Sequence, residues 1–442
     1  MPVAERQNTY LAAYDAFRRS PEAGPDWLRD VRESAFRRFL DRGFPTTREE
    51  DWRFTNVAPI ADLAFARPPA VDVARETLAA SSFEDDTVAE IVVVNGRMSD
   101  PLSSLEALPR GVTIRNARRG WKPFALDRPA AGADGGAGTR LTASTPFTDL
   151  NLAFFEDAIV ITVDPKVVVR SPIHVLFIAA AGAAPAMVAP HLVVIAGEQS
   201  QVSVIESYTG LGDGVTLTNA VTEFRMAASA VVNHVKIQRE LPRSFHIAQM
   251  TARLDRSANL VSHAVTLGGR IARNDIVSVL DGDGAECVLN GLYVADGETL
   301  VDTHTTIDHA RPHCPSHELY KGILDGRSRA VFNGKIIVRQ DAQKTDAKQT
   351  NKALLLTDDA QINTKPQLEI FADDVKCTHG AAIGQLDEDQ MFYLRARGIP
   401  EIAARNLLIH AFANDVLTSM KIEGVRDRTM HWMESKLRLP GE

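Results

Sequence analysis

The sequence predicts a mainly β protein, a stack of β-coils set between helical segments at its two ends, and three observations lead there. From about residue 151 to residue 380, short β-branched runs are separated by Gly, Asp, Asn and Ser, with no helical pattern long enough to cover a sheet. Several runs begin after similar polar turns centred on Ser200, Ser229, Ser257 and Gly284, which lie 27 to 29 residues apart. Helical spacing of apolar residues is concentrated near the ends of the chain. A coil of that length cannot bury its own apolar face, whereas stacked coils share one continuous core. A sandwich of evenly spaced hairpins is the competing arrangement. The long period and the scarcity of two-residue hairpin signals favour the stack.

The elements follow in order. Tyr10, Leu11, Tyr14 and Phe17 recur at helical spacing, as do Trp27, Val31, Ala35 and Phe39 in a second helix that Arg42-Gly43-Phe44-Pro45 stops. Residues 90–96, EIVVVNG, read as a strand, and residues 129–138, PAAGADGGAG, as an exposed loop. Strand-like segments come next at 158–163, 167–169, 191–195, 202–205, 231–237, 260–265, 276–280, 288–294, 330–338 and 367–371. Asp387-Glu388-Asp389 then puts negative charge at a helix N-terminus. That helix ends at Gly398-Ile399-Pro400, and another starts near Glu401 with Ile402, Leu407, Ile409, Phe412, Ala413 and Val416. The pair is too short for a core of its own and must pack on the β-region, on a partner, or on both. The division read from this is a helical domain over 1–90, a β-core over 91–384 and a helical domain over 385–442.

Composition narrows the function. With 442 residues and a net charge of −8, the chain has no basic excess to neutralise phosphates, which argues against a nucleic-acid role. Three scattered cysteines, Cys287, Cys314 and Cys377, make no disulfide framework and fit a reducing compartment. The first residues lack the apolar stretch of a secretory signal. The uncharged run 174–197 is broken by Pro185, Pro190 and His191 and reads as two buried strands around a turn, not a membrane span. The expectation is a soluble, cytoplasmic protein.

Few constellations carry chemistry. Residues 301–317, VDTHTTIDHARPHCPSH, hold His304, His309, His313, Cys314 and His317, but at no established zinc spacing and with two interrupting prolines. Strand alternation would put Asp302, His304 and Thr306 on one face and Thr303 and Thr305 on the other, and a structural role at a coil edge or subunit contact is favoured over a metal site. There is no nucleophile elbow. The acid pairs Asp358-Asp359 and Asp373-Asp374 are adjacent and would face opposite ways on a strand, so they make poor glycosidase dyads. The run 327–336 lacks the first glycine and the hydroxyl of a phosphate loop, so ATP-driven work would need another subunit. The remaining signal is residues 374–400, with Cys377 and His379 two apart. On an extended strand they share one face, and thiolate with imidazole is a soft donor pair.

Residues 374–400, together with DLNLAFFEDAIVITVDPKVVVRSPIHVLFI from Asp149, the run 318–381 and the helical tail, resemble the SufB/SufD family of the SUF iron–sulfur cluster assembly system. The N-terminal part resembles it chiefly through EEDWRFTN at 49–56. The run 363–370, NTKPQLEI, is similar to the SufD branch, and Thr350 stands near the position where SufB members carry a principal cluster cysteine. The resemblance implies a right-handed parallel β-helix core and a non-catalytic scaffold that pairs with SufB through that core. It implies C-terminal helices that dock the SufC ATPase, here through Leu407, Leu408 and Phe412. It also implies His379, with Cys377 beside it, as a ligand near the SufB interface, holding a cluster transiently and none stably in the isolated chain. A homodimer of the isolated chain is compatible with the same surfaces. The alternative is a β-helix carbohydrate-active enzyme, which would need acidic side chains converging on one groove.

Overall fold

The computed structural model describes residues 3–20, 23–24, 26–116 and 144–437; the loop expected at 129–138 lies outside them. Its centre is a parallel β-solenoid of about eight turns. Each coil gives one strand to each of two facing ten-stranded sheets, so consecutive strands alternate between sheets and same-sheet neighbours are one coil apart. A full coil takes 26 residues from Phe245 to Ile271 and 32 from Arg329 to Gln361. The expected stack is therefore present, with a looser period than the turns alone suggested. Residues 167–169, expected as a strand, form only the single bridge Val168–Gln201, because they lie in a corner.

The polar turns have a shared geometry. Lys166, Gln199, Ser229, Ser257, Gly284, His313 and Lys344 all adopt left-handed backbone, with φ from 56° to 69°. Each donates its N–H to a carbonyl of the next coil, the last bond running from Lys344 to Asp374 O, at 2.7 to 3.1 Å. At six of the seven corners the side chain that follows is small and buried, namely Ser200, Ala230, Ala258, Ala285, Cys314 and Thr345; after Lys166 it is the half-buried Val167. Left-handed backbone costs a non-glycine residue about 1 kcal/mol or more, and the inter-coil hydrogen bond offsets it at every step.

Inside the solenoid, the layer Val202, Val232, Leu260 and Cys287 is apolar, and the adjoining inward layer places His234, bonded to Ser262 Oγ at 2.9 Å, between Val204 and Leu289. Tyr320 lies over Gly291, and Tyr293 over Gly322, in one register; a Cβ on either glycine would meet the ring at 2.1 Å. Glycine is required there by the close approach of the ring.

The two sheets have covered outer faces. On the second sheet, Leu217, Phe245, Ile247 and Ile271 are buried beneath Tyr10, Tyr14, Phe36, Phe39 and Trp52 from the N-terminal helices and the segment after them. The second helix, Asp26–Arg42, ends as expected, with Gly43 at φ 69° donating to Phe39 O. Three C-terminal helices follow, Glu388–Ala396, Glu401–Leu417 and Glu423–Leu437; on the first sheet, Val235, Ile237, Val265, Leu292 and Ile323 are buried beneath the last two, and the first has no buried residue. The third of these was not separated in the sequence reading, because its buried positions are only Val425, Thr429 and Met433. The run 174–197 forms strands Ile173–Ala180, Ala186–Val188 and His191–Ala196, and no helix among the described residues is long and apolar enough to cross a membrane.

The two ends of the solenoid differ. At the N-terminal end each sheet finishes in an antiparallel strand, Arg97–Met98 on one and Val112–Asn116 on the other. At the C-terminal end both sheets finish in parallel strands, Gln361–Ile370 and Lys376–Gly384, whose outer edges pair with no other strand among the described residues.

Candidate functional site at the open end of the solenoid

Cys377 and His379 lie on the last strand, Lys376–Gly384. The register puts Cys377 on Ala347 and His379 on Gln349. Ala347 and Gln349 face the lumen and are buried, so both donors share the inner face of the unfinished coil, as period-two alternation predicted. Their environments differ. Cys377 is half-buried over the small cluster of Ile336, Val338, Ala342 and Ala372, and burial pushes its thiol above the ordinary range. His379 is exposed, and its imidazole makes no hydrogen bond to any described residue. Of the pair, the imidazole is the more available donor. No group of three or more His, Cys, Asp or Glu that could enclose a metal occurs among the described residues. Two soft donors on one open coil are half of a coordination set.

Beneath His379 the lumen is polar. Gln349 Nε2 donates to Glu318 Oε2 at 2.7 Å, one coil further in. Burial raises the Glu318 carboxyl to about 7, Thr305 and Gln349 offsetting this in part. Deeper still, burial would raise the Glu206 carboxyl, but His234, Lys236 and Tyr208 bring it down to about 2. The two acids differ because Glu206 has basic partners, His234 Nε2 among them at 3.0 Å, and Glu318 has only neutral ones.

The histidine-rich run 301–317 is dispersed. Asp302, His304 and Thr306 face outward and Thr303 and Thr305 inward, as alternation required. His309 is buried inside, 3.0 Å from Ser316 Oγ; His313 is a left-handed corner; Cys314 belongs to the column of small inward residues; and His317 is exposed on the other sheet. Asp302 accepts from Arg273 Nη1 at 2.6 Å and from the Thr55 hydroxyl, and Trp52 lies 3.8 Å from the Arg273 guanidinium. The run 49–56 is thus a strap that pins the N-terminal segment to the solenoid. Beside it is a hollow of about 550 Å³. Of the four carboxylates that line it, Asp302 is held as above, Glu50 is paired with Lys365, and Glu49 accepts from the Thr46 N–H at 2.8 Å.

Hydrophobic exposure is concentrated in two places. Phe371 is 64% exposed on the last coil, with Ile370 and Ile383 nearby in that coil. On the C-terminal helices Phe392 is 74% exposed, and Tyr393, Ile402 and Leu407 are exposed too. Leu408 and Phe412 are half-buried; the Phe412 ring carries the Lys321 ammonium at 4.6 Å, and Lys321 donates to Phe412 O at 2.7 Å. Phe392 and Tyr393 went unnoticed in the sequence because a Met-Phe-Tyr-Leu run reads equally well as a buried helix face.

These features define a class: a helix-flanked β-solenoid with soft metal donors on an unfinished terminal coil. Residues 177–412 match the model of the SufBD core domain of the SUF iron–sulfur cluster assembly system, and residues 4–175 match that of the SufBD N-terminal region. An iron–sulfur cluster assembly SufBD family protein of Synechocystis is 33% identical over 87% of this chain and 85% of its own length. The iron–sulfur cluster assembly protein SufD of Escherichia coli is 30% identical over 99% of this chain and 97% of its own, and SufD of Bacillus subtilis 23% over 94% and 95%. The chain belongs to the SufBD family of iron–sulfur cluster assembly proteins, and its whole-length likeness to SufD fits a SufD-type subunit.

Proposed function

We propose that this chain is a non-catalytic, cytoplasmic scaffold subunit that pairs with SufB through the open end of its solenoid and presents its C-terminal helices to the SufC ATPase. His379 donates one ligand to a nascent iron–sulfur cluster at the SufB contact, with Cys377 beside it, and the cluster is cargo, not a resident group. The observation that carries this reading is the unfinished last coil. Two strands with free edges, exposed Phe371 and Ile383, and an unbonded imidazole coincide there. Free parallel edges invite strand addition, and proteins cover them when they do not use them. The donor pair needs further ligands from the partner that covers the edge, and imidazole binds more weakly than thiolate, which suits release after assembly. The same edge could join two copies when the chain is alone. The exposed Phe392, Tyr393 and Leu407 support a second docking face for SufC. The test is iron per intact complex. His379→Ala should leave SufB and SufC association unchanged and lower iron at least tenfold, because an exposed imidazole contributes little to the core. Equal iron on equally assembled complexes would overturn the ligand role.

A further inference from the structure

The lumen beneath the open end contains an acceptor with nothing to accept. Gln349 is 2% exposed and lies one coil below His379 in direct register. Its Nε2 is committed to Glu318 Oε2, and its Oε1 is buried without a hydrogen-bond partner among the described residues. A buried amide oxygen left unpaired costs about 1–3 kcal/mol. The amide is also held in place. Gly334, on the facing sheet, has no side chain where a Cβ would stand 2.2 Å from Gln349 Nε2. Above about pH 7, where the Glu318 carboxyl is ionised and can only accept, its bond turns the Gln349 nitrogen inward and leaves the oxygen free, and the ring measurements below are therefore made at pH 8. Adjacent strands are about 4.8 Å apart, so an amide on one coil is within reach of an imidazole on the next.

A metal-bound histidine almost always donates its other ring N–H to a carbonyl or carboxylate, which fixes the tautomer and the ring plane. His379 makes no such bond here. We propose that Gln349 Oε1 is the acceptor for the ring N–H of His379, so that Gln349, held by Glu318 and accommodated by Gly334, is the positioning residue of the cluster ligand. The bond closes when a partner covers the open coil and presses the ring down onto the amide. It selects one tautomer and leaves the second ring nitrogen facing the partner. This inference rests on His379 being a ligand, but the hydrogen bond itself can be tested separately.

The experiment uses the full chain assembled with SufB and SufC and labelled with 15N-histidine, the His379 ring signals being those lost in His379→Ala. In the wild-type complex the ring nitrogens should show a single tautomer with a hydrogen-bonded N–H. Gln349→Met removes the acceptor, and Gly334→Ala displaces the amide while keeping it, which guards against a folding defect in either variant. Both should give averaged tautomers and at least a tenfold faster loss of iron to a chelator, in line with the cost of removing a metal ligand's outer partner. Gln349→Glu keeps an acceptor and should restore the single tautomer. Ring signals and iron retention unchanged in both Gln349→Met and Gly334→Ala would overturn the proposal. If His379→Ala keeps wild-type iron, the ligand role fails instead, and the ring signals still decide whether the bond to Gln349 exists.

Discussion

Glu318→Gln should stabilise the protein, and by an amount that depends on pH. The wild-type carboxyl is buried in the lumen with neutral partners, and burial raises it from 4.5 to about 7. A group whose folded value is raised favours the folded state while protonated. Its contribution is therefore complete below pH 4.5, falls as pH rises, and is gone above about 7. The shift corresponds to about 3 kcal/mol. Glutamine is neutral and nearly isosteric, and it still offers a carbonyl oxygen to Gln349 Nε2. The advantage of the variant should be below about 1 kcal/mol at pH 5 and about 3 kcal/mol at pH 8. Urea unfolding of the two proteins at pH 5, 6, 7 and 8 measures it, because every other titrating group cancels in the difference. An advantage that does not change with pH would refute the reasoning, and so would a Glu318 carboxyl found ionised at pH 5.5 by 13C NMR.

Other outcomes follow from the same geometry. Tyr320→Ala empties the space above Gly291 and beside Phe332, and should cost about 3–5 kcal/mol, read as a lower urea midpoint. A thiol reagent at pH 8 should label one cysteine per folded chain, Cys377, since Cys287 is buried with its thiol pushed up to about 12 and Cys314 is buried in a corner; mass mapping of a second labelled site would contradict this. Leu407→Asp and Phe392→Asp should abolish SufC binding in a pull-down without lowering the melting temperature, because both side chains project into solvent. Deleting the C-terminal helices would be a poorer test, since it uncovers Val235, Ile237, Val265 and Ile323.

What the sequence revealed was what local geometry decides. Cys377 and His379 share a face because a strand has period two, and Ser229, Ser257 and Gly284 marked corners because polar turns recur once per coil. His313 and Lys344 occupy the same kind of corner but were not recognised, because left-handed backbone is usually assigned to Gly or Asn. The histidine-rich run 301–317 looked like one cluster until the corner at His313 divided it between two sheets and two faces. Gln349 and Gly334 were invisible for a different reason. They are 15 positions apart on facing sheets, and only coil length brings them together. The same holds for Tyr320 and Gly291, which meet only through inter-coil register.

The asymmetry of the two solenoid ends limits how large an assembly can grow. A stack that was open and parallel at both ends could add subunit to subunit without limit, as head-to-tail contacts that do not close give filaments. Here the N-terminal end turns antiparallel in a two-residue strand on one sheet and a five-residue strand on the other, which offers no matching template. Among the described residues only the C-terminal end presents two free parallel edges. In the pairing proposed above, that end would meet its own kind or a relative end against end, and association through it would stop at two solenoids. A cluster built at such a join would be enclosed between two protein ends.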